Sequence, residues 1–469
     1  MSGKPGKHYP AGDPAAVKPD AMNRYLGGAQ PHFRPLKRRS NPYRMLLWFS
    51  LILGGIWLAM QWQRGNIEPL FLPTPTPTRT ANSLILEGDA LFDAGNLEGA
   101  IAAYQGAISL STDSGSYAQL ARIQTYSSSL LTTDAQRYQR LKEALEAINH
   151  AIELNPDDVN AIAVRALVLD WYASNPLVPL SERQNALNEA EREAARAYNL
   201  ELDNPLALAF YAEILVDQQK WTQAQKYIEQ AARLEEEMKI STMDVHRVYG
   251  YVWESLGEYP AAIGEYKKAV AITPNLTFLY VFIGRNYLRL ELYDRALEYF
   301  ERAVNINKQL KVQDPVPYLE IARTYVRKGE FFAAALNAEK ALRFDPTNPN
   351  TYGQLGSIYV RARNYEGAQP AFRCAVRGCS AAENQTAIDV VGEGYDVPGL
   401  PLTSITVAYY YVQYGSVLAA LSRSTQNYFP EALEVLNEVR AAYSNDTTII
   451  SIIEENEAIC QLLEGTPKP

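Results

Sequence analysis

Apolar residues recur along most of this chain at i, i+3 or i+4 and i+7, in runs broken by short polar turns. That spacing lines one face of an α-helix, whereas strands alternate with a period of two. The pattern itself repeats. VYGYVWESLGEYPAAIGEYKKAVAITPN, residues 248–275, returns 34 residues on as FIGRNYLRLELYDRALEYFERAVNIN. Aligned on Gly250 and Gly284, the two agree at Trp253/Tyr287, Tyr259/Tyr293, Ala262/Ala296, Tyr266/Phe300 and Ala269/Ala303. Ala322, Tyr325, Phe331, Ala334 and Ala338 keep the register, as do Gly356, Tyr359, Tyr365, Ala368 and Phe372. Upstream, Ala212, Trp221 and Ala224 fit, and so do Gly88, Leu97, Ala100 and Tyr104. Each unit therefore reads as two antiparallel helices turning near LGEY or RKGEF. The small residue marks where two helix backbones approach closely, and the aromatics fill the space beside it. Asn204-Pro205, Asp314-Pro315 and Asn348-Pro349 read as helix starts, with a capping acceptor followed by a proline where no N–H is needed.

This period and its small/large signature resemble the tetratricopeptide repeat family. The resemblance covers residues 81–443 and implies an all-α, right-handed solenoid of about nine helical hairpins. Insertions are expected near 127–138, 172–183, 235–242 and 380–402, with SERQ at 181–184 restarting a helix through a capping box. TTIISIIEENEAICQLLEG, within 444–469, reads as the capping helix that closes the last open face of a solenoid.

A different pattern precedes the array. MLLWFSLILGGIWLAMQW, residues 45–62, carries no charge and has the length of a bilayer core. It reads as a single transmembrane helix; a cleaved signal would begin nearer the N-terminus. Residues 1–44 hold nine Lys/Arg against two Asp, while 63–80 is nearly balanced. Positive-inside bias leaves the N-terminus cytoplasmic and the repeats outside the cytoplasm. The tail 1–44 reads as disordered, and LPTPTPTRT within the linker 63–80 as an extended spacer.

With a net charge of −9 overall, the chain beyond the tail is strongly acidic, which argues against nucleic acid as a partner. Cys374 and Cys379 lie five apart, as a disulfide or as two buried thiols; Cys460 falls on the apolar face of the last helix. The four histidines are scattered, no catalytic or metal-ligand motif stands out, and neither enzymatic activity nor a cofactor is expected. In the family resembled, the first helix of each pair lines the concave groove. Early units place Asp89, Asp93, Asp170, Glu213 and Asp217 there; later ones place Arg247, Tyr251, Arg285, Arg289, Arg323, Arg327 and Arg361. Arg285/Arg289 and Arg323/Arg327 are spaced i, i+4 and share a face, so a ladder of guanidiniums is expected, suited to an acidic protein or peptide. The implied function is a membrane-anchored scaffold binding its partner outside the cytoplasm. A cytosol-facing targeting receptor, or the non-catalytic arm of an envelope enzyme complex, is the alternative.

Overall fold

The computed structural model describes residues 41–64, 79–387, 393–423 and 425–464. The tail before residue 41 and the proline-rich spacer at 65–78 lie outside the described residues. The chain divides at Thr78 into two units. In the first, α1 (Pro42–Gln63) exposes its apolar side chains from Met45 to Met60 and is long and apolar enough to cross a membrane.

The second unit is all-α apart from one two-residue strand pair. Nine helical hairpins follow one another among its described residues. They are α2/α3 (Ala81–Asp93, Leu97–Leu110), α4/α5 (Ser114–Ser128, Asp134–Leu154), α6/α7 (Val159–Ser174, Leu180–Leu200), α8/α9 (Pro205–Asp217, Trp221–Met238) and α10/α11 (Met243–Ser255, Tyr259–Ile272). The array continues with α12/α13 (Thr277–Arg289, Tyr293–Leu310), α14/α15 (Val316–Lys328, Phe331–Phe344), α16/α17 (Pro349–Arg361, Tyr365–Val376) and α19/α20 (Ile405–Leu421, Phe429–Ala442). A final helix, α21 (Thr447–Glu464), packs on α19 and α20.

In four hairpins a ring of the second helix closes on a glycine of the first. A methyl on Gly88 would lie 2.6 Å from the Tyr104 ring, on Gly250 2.7 Å from Tyr266, and on Gly356 2.8 Å from Phe372; Gly284 is held as tightly by Phe300. Each ring sits sixteen residues after its glycine. Where the later residue is smaller, Ile228 or Ala338, the earlier one grows to Ala212 or Ala322, and all four are buried. Ala212 with Ile228 roughly keeps the volume of a glycine with a ring, whereas Ala322 with Ala338 is a smaller pair. Caps match the sequence at Asn204 and Asn348, whose side chains accept N–H bonds while Pro205 and Pro349 open the helices. Asp314 acts one residue further out, accepting from the Val316 N–H at 2.9 Å. The SERQ box does not form: α7 starts at Leu180 with Ser181 already inside, and the capping box is Thr133 with Gln136 at the start of α5. Six turns within hairpins close through a left-handed residue, three of them Gly95, Gly257 and Gly329 and three the costlier Gln219, Glu291 and Arg363; Lys239 and Lys311 do the same between hairpins.

Curvature is uneven. The inner helices α4, α6, α8 and α10 pack directly on one another in sequence. α6 and α8 are buried nearly all round, from Ala161 to Ala173 and from Ala207 to Val216. So tight a curl brings the first two hairpins back against the fifth and sixth. Arg122 forks onto Asp244 at 3.1 and 2.8 Å, and Tyr126 donates to the same carboxylate. Asn275 donates to the Ala94 carbonyl at 3.0 Å, and the Tyr126 ring stacks on Phe278 at 5.8 Å.

The segment after α17 folds back on the array. Cys374 and Cys379 are joined in a disulfide. β1 (Gly378–Cys379) pairs antiparallel with β2 (Val397–Pro398), flanking the short α18 (Ala381–Ala387). Buried Asn384 donates to the Tyr352 hydroxyl at 2.7 Å, and Val397 joins the core beside both cysteines. Tyr395 remains partly exposed.

The glycine contact yields a test. Gly250→Ala should cost about 1–3 kcal/mol through overpacking against Tyr266. Gly264→Ala, exposed in α11 with open space around it, should gain about 0.5–1 kcal/mol from helix propensity. Urea denaturation midpoints of the two variants, moving in opposite directions, check the claim.

Candidate functional site

The curl leaves an open-mouthed cavity of about 470 Å³ on the inner face, lined from the second hairpin to the start of the seventh. Its side chains come from equivalent positions of successive repeats, so a bond between them crosses from one hairpin to the next. Glu213 on α8 and Arg247 on α10 are 34 residues apart and form a two-pronged ion pair at 2.8 and 2.5 Å, both side chains almost wholly buried. One turn further along the same helices, Tyr251 donates its hydroxyl to Asp217. Trp171 on α6 donates its indole N–H to Glu213 at 3.1 Å. The Arg247 guanidinium also lies over the rings of Tyr126, at 5.3 Å, and Trp171, at 5.9 Å.

Asp170 reaches the cavity from α6 and is 1% exposed, with no hydrogen-bond donor to its Oδ1. Burial, and after it the neighbouring Asp217 carboxylate, pushes Asp170 well above the ordinary carboxylate range. Asp217 is open to the cavity but walled by protein; that desolvation raises it against the opposing bond from Tyr251. Burial likewise raises the Tyr126 and Tyr251 hydroxyls, so both remain protonated donors.

The seven residues expected to bind a partner separate into two sets. Arg247 is buried and committed to Glu213, and Tyr251 is half-buried on Asp217. Arg285 and Arg323 converge on one buried carboxylate, Glu320, at 2.8 and 3.2 Å. A continuous ladder of free guanidiniums therefore does not form, because carboxylates of the same inner face neutralise three members. Arg289, Arg327 and Arg361 are exposed and have no ion-pair partner among the described residues. Of the early acidic positions, Asp89 accepts the Tyr104 hydroxyl.

Two groupings escaped the sequence. Tyr126, Arg122 and Asp244 meet only because the superhelix closes. The signal for a tight curl was present, however, in the unbroken apolar runs AIAV at 161–164 and LALAF at 206–210, too apolar for one-sided helices. Ser241, His246 and Glu265 also line up, with Ser241 Oγ 2.9 Å from Nε2 and Glu265 2.8 Å from Nδ1. Glu265 is shared with Lys268, and the adjacent Thr242 gives both its N–H and its hydroxyl to Glu235. The group ties the α9–α10 connection to α11. Among the described residues no cluster of three His, Cys, Asp or Glu is placed to hold a metal ion.

Family profiles of the tetratricopeptide repeat match residues 211–276 and 279–310. BBSome complex member BBS4 from Bos taurus is 25% identical over 113 residues, which are 24% of this chain and 21% of that protein. The chain thus spans about a fifth of the length of that curated relative. Similar solved structures include a human IFIT1 dimer with PPP-AAAA, 18% identical, covering 83% of this chain and 92% of that one with a TM-score of 0.49. Yeast Tom70 is 14% identical, covering 82% and 93% with a TM-score of 0.38. The C-terminal part of a TPR repeat-containing protein from Cytophaga hutchinsonii is 16% identical, covering 58% and 95% with a TM-score of 0.40.

Two measurements test the buried charges. Glu213→Ala leaves Arg247 buried without its counter-charge and should cost about 3–5 kcal/mol in urea unfolding. Asp314, lining the same cavity, is raised by burial from 3.8 to about 6. A raised carboxyl stabilises fully below its unfolded value and loses that contribution as pH climbs through its folded one. The stability gap between wild type and Asp314→Asn should therefore shift by about 2–3 kcal/mol between pH 4 and 6, with wild type losing.

Proposed function

We propose that this tetratricopeptide-repeat protein is a membrane-anchored scaffold that holds a protein partner along its concave face, outside the cytoplasm. Repeats of this type mediate protein interactions and are generally non-catalytic. The observation that carries the reading is the inner face itself. It combines an open-mouthed, partly apolar cavity with three exposed arginines, Arg289, Arg327 and Arg361, that no carboxylate of the chain neutralises among the described residues. Unpaired guanidiniums on an acidic body are available to carboxylates of an incoming chain, which they bind as planar forks.

Anchoring is supported by α1, whose apolar side chains are exposed along its length. The basic residues before it and the near-neutral segment after it favour a cytoplasmic N-terminus. The Cys374–Cys379 disulfide is consistent with repeats in an oxidising compartment. On this reading α1 tethers the solenoid and leaves its groove free to assemble a complex at the membrane surface.

The full-length chain carrying a photo-crosslinking residue beside Arg327 should capture a partner in intact cells. Replacing Arg289, Arg327 and Arg361 together by alanine should cut recovery at least about tenfold, since a bond to a charged group contributes about 1.5–3 kcal/mol. The thermal transition should stay in place. Undiminished recovery would remove the arginines from recognition. The chain should also resist carbonate extraction, and its repeats should be digested only by protease added outside the cytoplasm; the opposite sidedness would favour a cytosol-facing receptor.

A further inference from the structure

The cavity's charge does not balance. Asp134, Asp170, Glu213, Asp217, Glu254 and Asp314 line it against Arg137, Arg247 and Arg285. Each of those cations is already committed: Arg247 to Glu213, Arg285 to Glu320 and Arg137 to Asp134. Glu254 is satisfied by neutral donors, the Tyr266 hydroxyl at 3.0 Å and the Asn286 amide at 2.9 Å, and Asp314 by the Val316 N–H. That leaves Asp170, and Asp217, whose donor is the neutral Tyr251 hydroxyl. They stand within hydrogen-bond reach of each other, the first deeply buried with an oxygen that no donor meets, the second facing the open space.

The chain shows what this environment accepts. One turn away, Arg247 sits with its fork on a carboxylate and its planar face over Tyr126 and Trp171. A guanidinium or ammonium between carboxylate and aromatic rings gains both Coulomb attraction and interaction with the ring quadrupole. Around Asp170 and Asp217 the same components recur, with Trp171, Tyr251, Phe278 and Phe282 forming the wall. At about 470 Å³ the space falls within the range of small-ligand pockets and admits an extended side chain. An acidic group is repelled by the unpaired carboxylates.

We infer that this cavity is a receptor for one basic side chain of the bound partner, an arginine or lysine seated on Asp170 and Asp217 against the aromatic wall. The inference deepens the concave-face reading and rests on it. On this inference the arriving cation displaces any proton that the two crowded carboxyls share, and that proton leaves to solvent.

The test uses the full-length chain in detergent and the peptide acetyl-Gly-Gly-Arg-Gly-Gly-amide, titrated calorimetrically in two buffers of different ionisation heat. The arginyl peptide, or its lysyl counterpart, should saturate at one site with up to one proton released. Peptides with citrulline or glutamate in place of arginine should bind at least about tenfold more weakly, the loss expected when a charged partner is removed. Asp170→Asn should abolish proton release and weaken the arginyl peptide to the same degree. Its thermal transition should be unchanged or higher, because one of two crowded carboxyls is gone. Asp217→Asn, at the open side, gives the same readout should Asp170→Asn fold poorly. Equal binding of arginyl and citrulline peptides, or binding indifferent to both substitutions, overturns the inference. No arginyl binding alongside arginine-dependent capture at Arg327 overturns it while the scaffold reading stands. Arginyl binding with no partner captured leaves a cation pocket and removes the scaffold.

Discussion

Everything in the array depends on how closely two helices can lie. In most globular packings that distance follows loosely from side-chain ridges and grooves. Here it is set by an aromatic ring pressed onto a residue without a side chain, as with Tyr266 on Gly250 and Phe300 on Gly284. Where the pair recurs, the two helices of a hairpin are brought together in the same way, and the next can stack on them in the same orientation. Ala212 with Ile228 fills the same place with a different division of volume, and Ala322 with Ala338 does so with two small side chains.

Stacking alone would give an open groove with evenly spaced faces. The first half departs from this because α6 and α8 carry small or apolar residues on all sides, so neighbours close on them from every direction. That closeness has an electrostatic consequence. Arg122, Arg247, Asp244 and Glu213 lose their water and survive only as forks with full partners. Asp170, desolvated in the same way, finds no such partner, and the imbalance marks the cavity as unfinished.

The inner face is thus divided by chemistry. Its first half holds an acidic and aromatic cavity; its second carries Arg289, Arg327 and Arg361, exposed and without an ion-pair partner among the described residues. On the proposed reading, a partner laid along it would meet opposite charge preferences at the two ends. The disulfide and the returning strand at 397–398 fasten the segment after α17 to the array, so the last hairpin is joined through a braced connection.

Local constraints were legible in the sequence. The 34-residue period, the Gly–aromatic offset, the proline helix starts and the apolar run of α1 depend on neighbours along the chain, and spacing records them. Hairpin number and the terminal helix follow from the same count. The state of each groove arginine was not legible. Position in the repeat put Arg247, Arg285 and Arg289 on one surface, yet whether a guanidinium is buried, shared or free depends on carboxylates from other hairpins. Glu320 lies 35 residues from Arg285, and Asp244 lies 122 from Arg122. The curl that decides those meetings accumulates small angles over four interfaces, and no single repeat encodes it.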